Sequence, residues 1–239
     1  MDYSSLFKIR CSAIYSIMGG TIGASESQLK FIKEMEAREK PMTDNMREKY
    51  NGCIDDRDNP KPTAGMKSYC EDWLKEQIYG IKKNIKSKYL DKGNASENEA
   101  IEFIESYYRL GFIIKNEQHF EDKYKTGTPD IIRPRHIRDT KCSWDAFSFP
   151  LFEKKLDPQY WWQVQGYMDL TKKKLAYVDY VLVNTPEEID FDAHDYSNVA
   201  KKYRVKSFKV KRDDAAIKEI AVRVKMCRNY IKELQNLIK

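Results

Sequence analysis

Apolar residues change their spacing several times along the chain, and each change marks an element. Residues 26–50 are highly charged and read as helix, while 51–62, NGCIDDRDNPKP, holds two prolines and predicts a break. Over 63–90, Trp73, Ile78, Ile81 and Ile85 fall near one face and lysines fill the rest, which predicts one long helix. Lys92-Gly93-Asn94 punctuates, Ser96 suits an N-cap, and the next helix is expected over about 96–110. Residues 112–120, FIIKNEQHF, predict a strand. Two short strands are expected at 130–133 and 136–142, joined by a tight Arg133-Pro134-Arg135 turn. Pro158 opens a helix over 158–171. The run 175–183, LAYVDYVLV, is the clearest strand, 203–210 alternates as an edge strand does, and 213–238 is an amphipathic helix.

The central order is helix, three strands, helix, two strands, helix. That order predicts an α/β fold with a small mixed sheet. Residues 1–90 are expected as an N-terminal segment with a helical extension, and 91–239 as the core with its C-terminal helix.

Composition narrows the class. Hydrophobic residues make up 41% of 239, enough for a core, and charged residues 33%. A net charge of +6 permits contact with nucleic acid without requiring it. The five cysteines form no CxxC pair, which argues against a zinc ribbon and a disulfide framework and suits a reducing cytoplasm. No apolar run approaches the ~20 residues that span a bilayer, and no signal peptide is expected.

The chemistry gathers in GTPDIIRPRHIRDTKC, which begins at Gly127. Asp130 opens one strand. Asp139 and Lys141 stand two apart on the next, so their side chains share a face. Two carboxylates beside an ammonium suit Mg²⁺, which takes one or two carboxylates and keeps waters. Such an ion activates water and stabilises charge on a phosphodiester. Read alone, the same residues describe a solvated hairpin. Glu97 lies at the edge of a stripe formed by Ala100, Ile101, Ile104, Tyr107 and Tyr108, where a carboxylate needs a partner or a metal. It equally suits a first-turn Glu favoured by the helix dipole. Tyr160, Gln163 and Tyr167 share a helix face, and the Gln163 amide among aromatics needs a partner, either catalytic or backbone. Arg133, Arg135, His136 and Arg138 surround this region, either as a grip on phosphates or as a solvated hairpin tip. Lys82, Lys83, Lys86 and Lys88 form a charge run, either a solvated face or a DNA contact.

These blocks, in this order, resemble the PD-(D/E)XK nucleases. Gly127-Thr128-Pro129-Asp130 with Asp139-Thr140-Lys141 is the signature. Glu97-Asn98-Glu99-Ala100 upstream and Tyr160…Gln163-Val164-Gln165…Met168…Thr171 downstream are similar to the lambda-type phage exonucleases and YqaJ-like proteins. The resemblance implies a restriction-endonuclease-like core. It implies a metal site of Glu97, Asp130, Asp139 and the Thr140 carbonyl for one or two Mg²⁺ or Mn²⁺ ions, with Lys141 and Gln163 assisting. It also implies digestion of duplex DNA from the 5′ end, a single-strand-annealing partner and a ring-shaped trimer. Lys8-Ile9-Arg10-Cys11-Ser12 is similar to a block in these enzymes that grips a 5′ phosphate, so Arg10 and Ser12 join Tyr167 as expected DNA contacts. Asp139 stands where lambda-type members carry Glu. An iron–sulfur branch of the fold needs four cysteines, usually closely spaced, and none is expected here.

Overall fold

Side-chain caps written into the sequence start most of the helices of the computed structural model, which describes residues 2–83, 88–190 and 193–238. Asp2 caps α1 (Tyr3–Leu6); β1 (Ile9–Arg10), a 3₁₀ turn and α2 (Ile14–Met18) follow. Ser25 and Gln28 form a capping box at α3 (Glu26–Glu36), and Thr43 and Thr63 cap α4 (Asp44–Asp58) and α5 (Ala64–Tyr79). Next come α6 (Lys88–Tyr108), β2 (Phe120–Glu121), β3 (Lys125–Gly127), β4 (Ile131–Ile132) and β5 (Ile137–Cys142). Asp157 caps α7 (Pro158–Leu170), whose first residue is the expected proline. The chain ends with β6 (Leu175–Val181), β7 (Val205–Lys211) and α8 (Asp214–Leu237).

The chain forms two compact units that interleave along the sequence. One holds Met1–Phe7, Ser16–Ile81 and Ile220–Lys239. It is helical, and Phe7, Met66, Cys70, Ile220 and Val224 are buried in it. The Phe7 ring stands edge-on to Trp73 at 4.9 Å. The buried Arg223 guanidinium donates to the carbonyls of Ile17, Gly19 and Gly20, satisfying groups that the end of α2 leaves open.

The other unit holds Lys8–Tyr15 and Lys82–Glu219. Its four-stranded sheet runs β4-β5-β6-β7, with β5 and β6 parallel and the other pairs antiparallel. A smaller sheet runs β1-β3-β2. One face of the larger sheet packs on α6 through Ala100, Ile101, Ile104, Ile131, Val181 and Val205. The helix α7 packs against the 3₁₀ turn at Cys11 so closely that a Cβ on Gly166 would lie 2.6 Å from Ile14 Cδ1 and 2.7 Å from Cys11 Sγ. The α/β class with a small mixed sheet is as expected.

Several expected boundaries are corrected. The helix expected over 63–90 ends at Tyr79, where Gly80 adopts φ 65°, a left-handed stop that costs glycine little. Ile85 and Lys86 lie outside the described residues. The expected punctuation at Lys92-Gly93-Asn94 falls inside α6, and Ser96 is a buried residue of that helix rather than its cap. What holds this stretch is Lys92, a buried ammonium that donates to the carbonyls of Trp144 at 2.8 Å and Val183 at 2.9 Å. The break expected from residue 51 begins only after Asp58, since α4 absorbs Gly52. Residues 112–119 are not strand; only Phe120–Glu121 is.

Candidate active site

The register of the larger sheet builds the site. Asp130 stands one residue before β4, and its Oδ2 accepts a 2.7 Å hydrogen bond from the Thr140 N–H of β5. Asn116 holds the same stretch from outside, donating its N–H to the Asp130 carbonyl at 2.7 Å and its side-chain amide to the Pro129 carbonyl at 2.9 Å. Asp139 and Lys141 project from one face of β5, and Asp139 Oδ2 lies 2.8 Å from Lys141 Nζ. Gln163 reaches down from α7, donating to Asp139 Oδ1 at 3.3 Å and to the Tyr167 hydroxyl at 3.0 Å. The Lys141 ammonium also sits 4.7 Å from the centre of the Tyr160 ring.

Asp130, Asp139, Lys141, Tyr160 and Gln163 line one cavity of about 340 Å³. Glu97, Ser12 and Thr140 open onto it, as do Tyr89, Asn94 and Gln159, which sequence reasoning missed. Glu97 reaches the cavity already ion-paired, with Oε2 at 2.7 Å from Lys115 Nζ. Lys115 was also missed, because the segment around it was read as a regular strand.

Charge is unbalanced in the cavity. Burial, and next the charge of Asp139, push the Asp130 carboxyl up to about 8, against the pull of Lys141 and the Thr140 N–H. Burial works against the Lys141 ammonium, but Asp139 and Asp130 outweigh it and hold its pKa above the usual lysine value. Asp139 Oδ2 is buried and meets only the Lys141 ammonium, and Thr140 Oγ1 is buried without a hydrogen-bond partner. Two crowded carboxylates that share a single ammonium fit a hard divalent cation. Among the described residues no three His, Cys, Asp or Glu side chains gather as a metal-binding group.

The remaining expected contacts fall in different places. Arg10 is exposed on β1, opposite Thr126 of β3. Arg135 is exposed at the hairpin tip. Tyr167 is buried beneath Gln163, where burial first, and then Asp139, raise its pKa. Arg133 donates to the carbonyls of Leu110 and Phe112. Arg138 does not face the cavity. It is buried on the other face of β5, 2.6 Å from Asp179 Oδ2 and against the rings of Tyr108 and Tyr177.

No protein-family model matches the chain, and no curated protein matches it. Solved structures do. A phage-related exonuclease from Haemophilus somnus 129PT is similar at 27% identity with a TM-score of 0.75, over 99% of this chain and 100% of that one. The chain thus resembles the phage exonucleases in both sequence and fold. An alkaline exonuclease, LHK-Exo from Laribacter hongkongensis, is similar in fold at 15% identity with a TM-score of 0.61, over 99% of this chain and 94% of that one. The same protein in complex with dAMP gives a TM-score of 0.62. The fold shared with these exonucleases therefore extends along essentially the whole chain.

Proposed function

We propose that this chain is a divalent-metal-dependent deoxyribonuclease that digests linear duplex DNA from its ends, 5′ to 3′. The observation that carries this reading is the unbalanced cluster of Asp130, Asp139 and Lys141 beneath Gln163, in a chain similar along its length to an exonuclease. Asp130 and Asp139 would hold Mg²⁺ or Mn²⁺, with Glu97 and the Thr140 carbonyl beside them on the same cavity. A divalent cation there supplies positive charge at the phosphoryl oxygens and makes water a stronger nucleophile at neutral pH.

The chain's own groups do the rest. Lys141, held by Asp139, places a fixed ammonium where negative charge grows on the phosphoryl group. Gln163 holds Asp139 Oδ1 and so fixes which oxygens of that carboxylate stay open. The Thr140 N–H fixes Asp130 in the same way. Tyr160 shields the ammonium from water. Arg10, Arg135 and Ser12 are the proposed phosphate contacts, whereas Arg133 and Arg138 are committed within the fold. The reading extends, as the family resemblance implies, to an annealing protein as partner, a ring trimer and work in the cytoplasm.

Linear duplexes labelled at either end, with and without a 5′ phosphate, test it in Mg²⁺. Label should leave the 5′ end first, faster with a 5′ phosphate, and closed circular DNA should persist. Rapid cutting of closed circles would overturn the end-directed reading.

A further inference from the structure

On the α7 face of the larger sheet, a second hollow of about 700 Å³ lies along β7, between that strand and the segment before α7. Lys154, Lys155, Lys209 and Lys211 line it, with Trp161 and Phe208. An adjoining hollow of about 530 Å³ shares Lys209 and Lys211 and adds Lys174. None of these five lysines has an ion-pair partner among the described residues. The acids beside them are engaged: Asp214 pairs with Arg212 at 2.7 Å, and Asp213 Oδ1 accepts the N–H groups of Ala215 and Ala216. The hollow therefore presents unbalanced positive charge around aromatic rings.

Two further observations point to what fills it. Phe152, two residues before Lys154, is 87% exposed on the segment that Lys206 ties to β7 through the Leu151 carbonyl. A row of rings also joins the hollow to the catalytic cavity. Tyr160, which touches Lys141, lies 5.8 Å from Tyr180, and Tyr180 lies 5.8 Å from Phe208. Lysines with rings between them suit a phosphodiester chain whose bases are free to stack. A duplex hides its base faces, and an acidic peptide has no use for the rings.

We propose that this track binds single-stranded DNA, namely the strand that digestion leaves unpaired. The identity of the strand rests on the exonuclease reading; the binding of unpaired DNA does not.

The test uses the full chain in EDTA, where no cleavage is expected, with fluorescein-labelled blunt duplex, oligothymidylate-tailed duplex and oligothymidylate alone. The tailed duplex should bind about tenfold tighter than the blunt one, in line with stacking and phosphate contacts on unpaired nucleotides. Lys154→Glu/Lys155→Glu and Lys209→Glu/Lys211→Glu should each erase that advantage. Each should also flatten the salt dependence of oligothymidylate binding by about 1.4 in log–log slope, roughly 0.7 per lost contact. Phe152→Ala should weaken the tail's contribution with no change in melting temperature. Equal binding of tailed and blunt duplexes by the wild type overturns the proposal. So do reversals that weaken both duplexes alike. Cleavage in Mg²⁺ is scored separately, so an inactive protein that still prefers the tail refutes the exonuclease reading and keeps the track.

Discussion

The strand β5 carries charge on both faces, and the two faces treat it differently. Toward α6, Arg138 meets one carboxylate, Asp179, at 2.6 Å, and two tyrosine rings cover the pair. Toward α7, Lys141 meets Asp139 while Asp130 crowds the same cavity. The first face is matched one to one and sealed. The second holds an extra carboxylate and opens to about 340 Å³. Both faces were rich in charge when read as sequence. Matched, covered charge holds the fold together, whereas the surplus charge at the cavity is what would hold a cation and a phosphate in the proposed reaction.

The largest effect should come from the open face. Lys141→Ala and Asp139→Asn should each lower metal-dependent DNA degradation by about 10³-fold, the scale for losing a preorganised charge at a reacting phosphate. Melting temperature should hold or rise in Asp139→Asn, which removes surplus charge, and fall in Lys141→Ala, which strands two carboxylates. Retained cleavage in either variant would end the assignment of this face to catalysis. On the sealed face, Arg138→Met should cost about 3–5 kcal/mol by stranding Asp179, while activity per folded molecule persists. Urea unfolding beside single-turnover cleavage separates the two quantities, and the double change Arg138→Met/Asp179→Leu should recover most of the stability.

Smaller effects sharpen the contrast. Gly166→Ala should cost about 1–3 kcal/mol by overpacking against Cys11 and Ile14. It should also slow cleavage, because α7 carries Gln163 over Asp139. A third cluster supplies a pH probe away from the cavity. Lys125, buried in spite of its charge, bonds Asp122 at 2.6 Å and Asp169 at 2.5 Å, and Arg212 joins Asp169. Burial raises the Asp169 pKa, but bonds to Lys125 and Arg212 prevail and hold it at about 2, below the ordinary 3.8. A depressed carboxyl stabilises the fold above its unfolded pKa, so this contribution should fade as pH falls from 3.8 toward about 2. Lys125 is raised above 10.5, so its contribution should be complete below that value and fade as pH climbs past it. Thermal melts of Asp169→Asn should lose the acid-side dependence and keep the neutral plateau shape.

Much of the site was legible because it rests on period and adjacency. Asp139 and Lys141 share a face because strands alternate, and Gln163 shares one with Tyr167 because helices repeat. Arg138 was misread for want of a partner. Its adjacency to Asp139 suggested a phosphate contact, but alternation sends it to the other face, and Asp179 lies 41 residues away in sequence. Glu97 was read as lying at the edge of the apolar stripe, either partnered there or as a first-turn Glu, and its ion pair to Lys115 depends on a segment whose path was not readable. Gly80 was a stop signal that the lysine-rich periodicity overrode. Residues 112–119 failed for a more instructive reason. Their backbone is partly satisfied by side chains: Arg133 takes the carbonyl of Phe112, with that of Leu110 just before the run, and Glu105 accepts the Ile113 N–H.

That last arrangement bears on how the protein behaves in a tube. Phe112 is 79% exposed and Ile114 75%, in a run of strong strand formers. Such a run, with its backbone unpaired, recruits other chains edge to edge. Arg133 occupies the carbonyls that a recruited strand would use and adds a charge beside them. The turn arginine read from sequence as a grip on DNA thus acts as a gatekeeper for solubility, and Arg133→Ala should show itself first as turbidity on concentration rather than as lost cleavage.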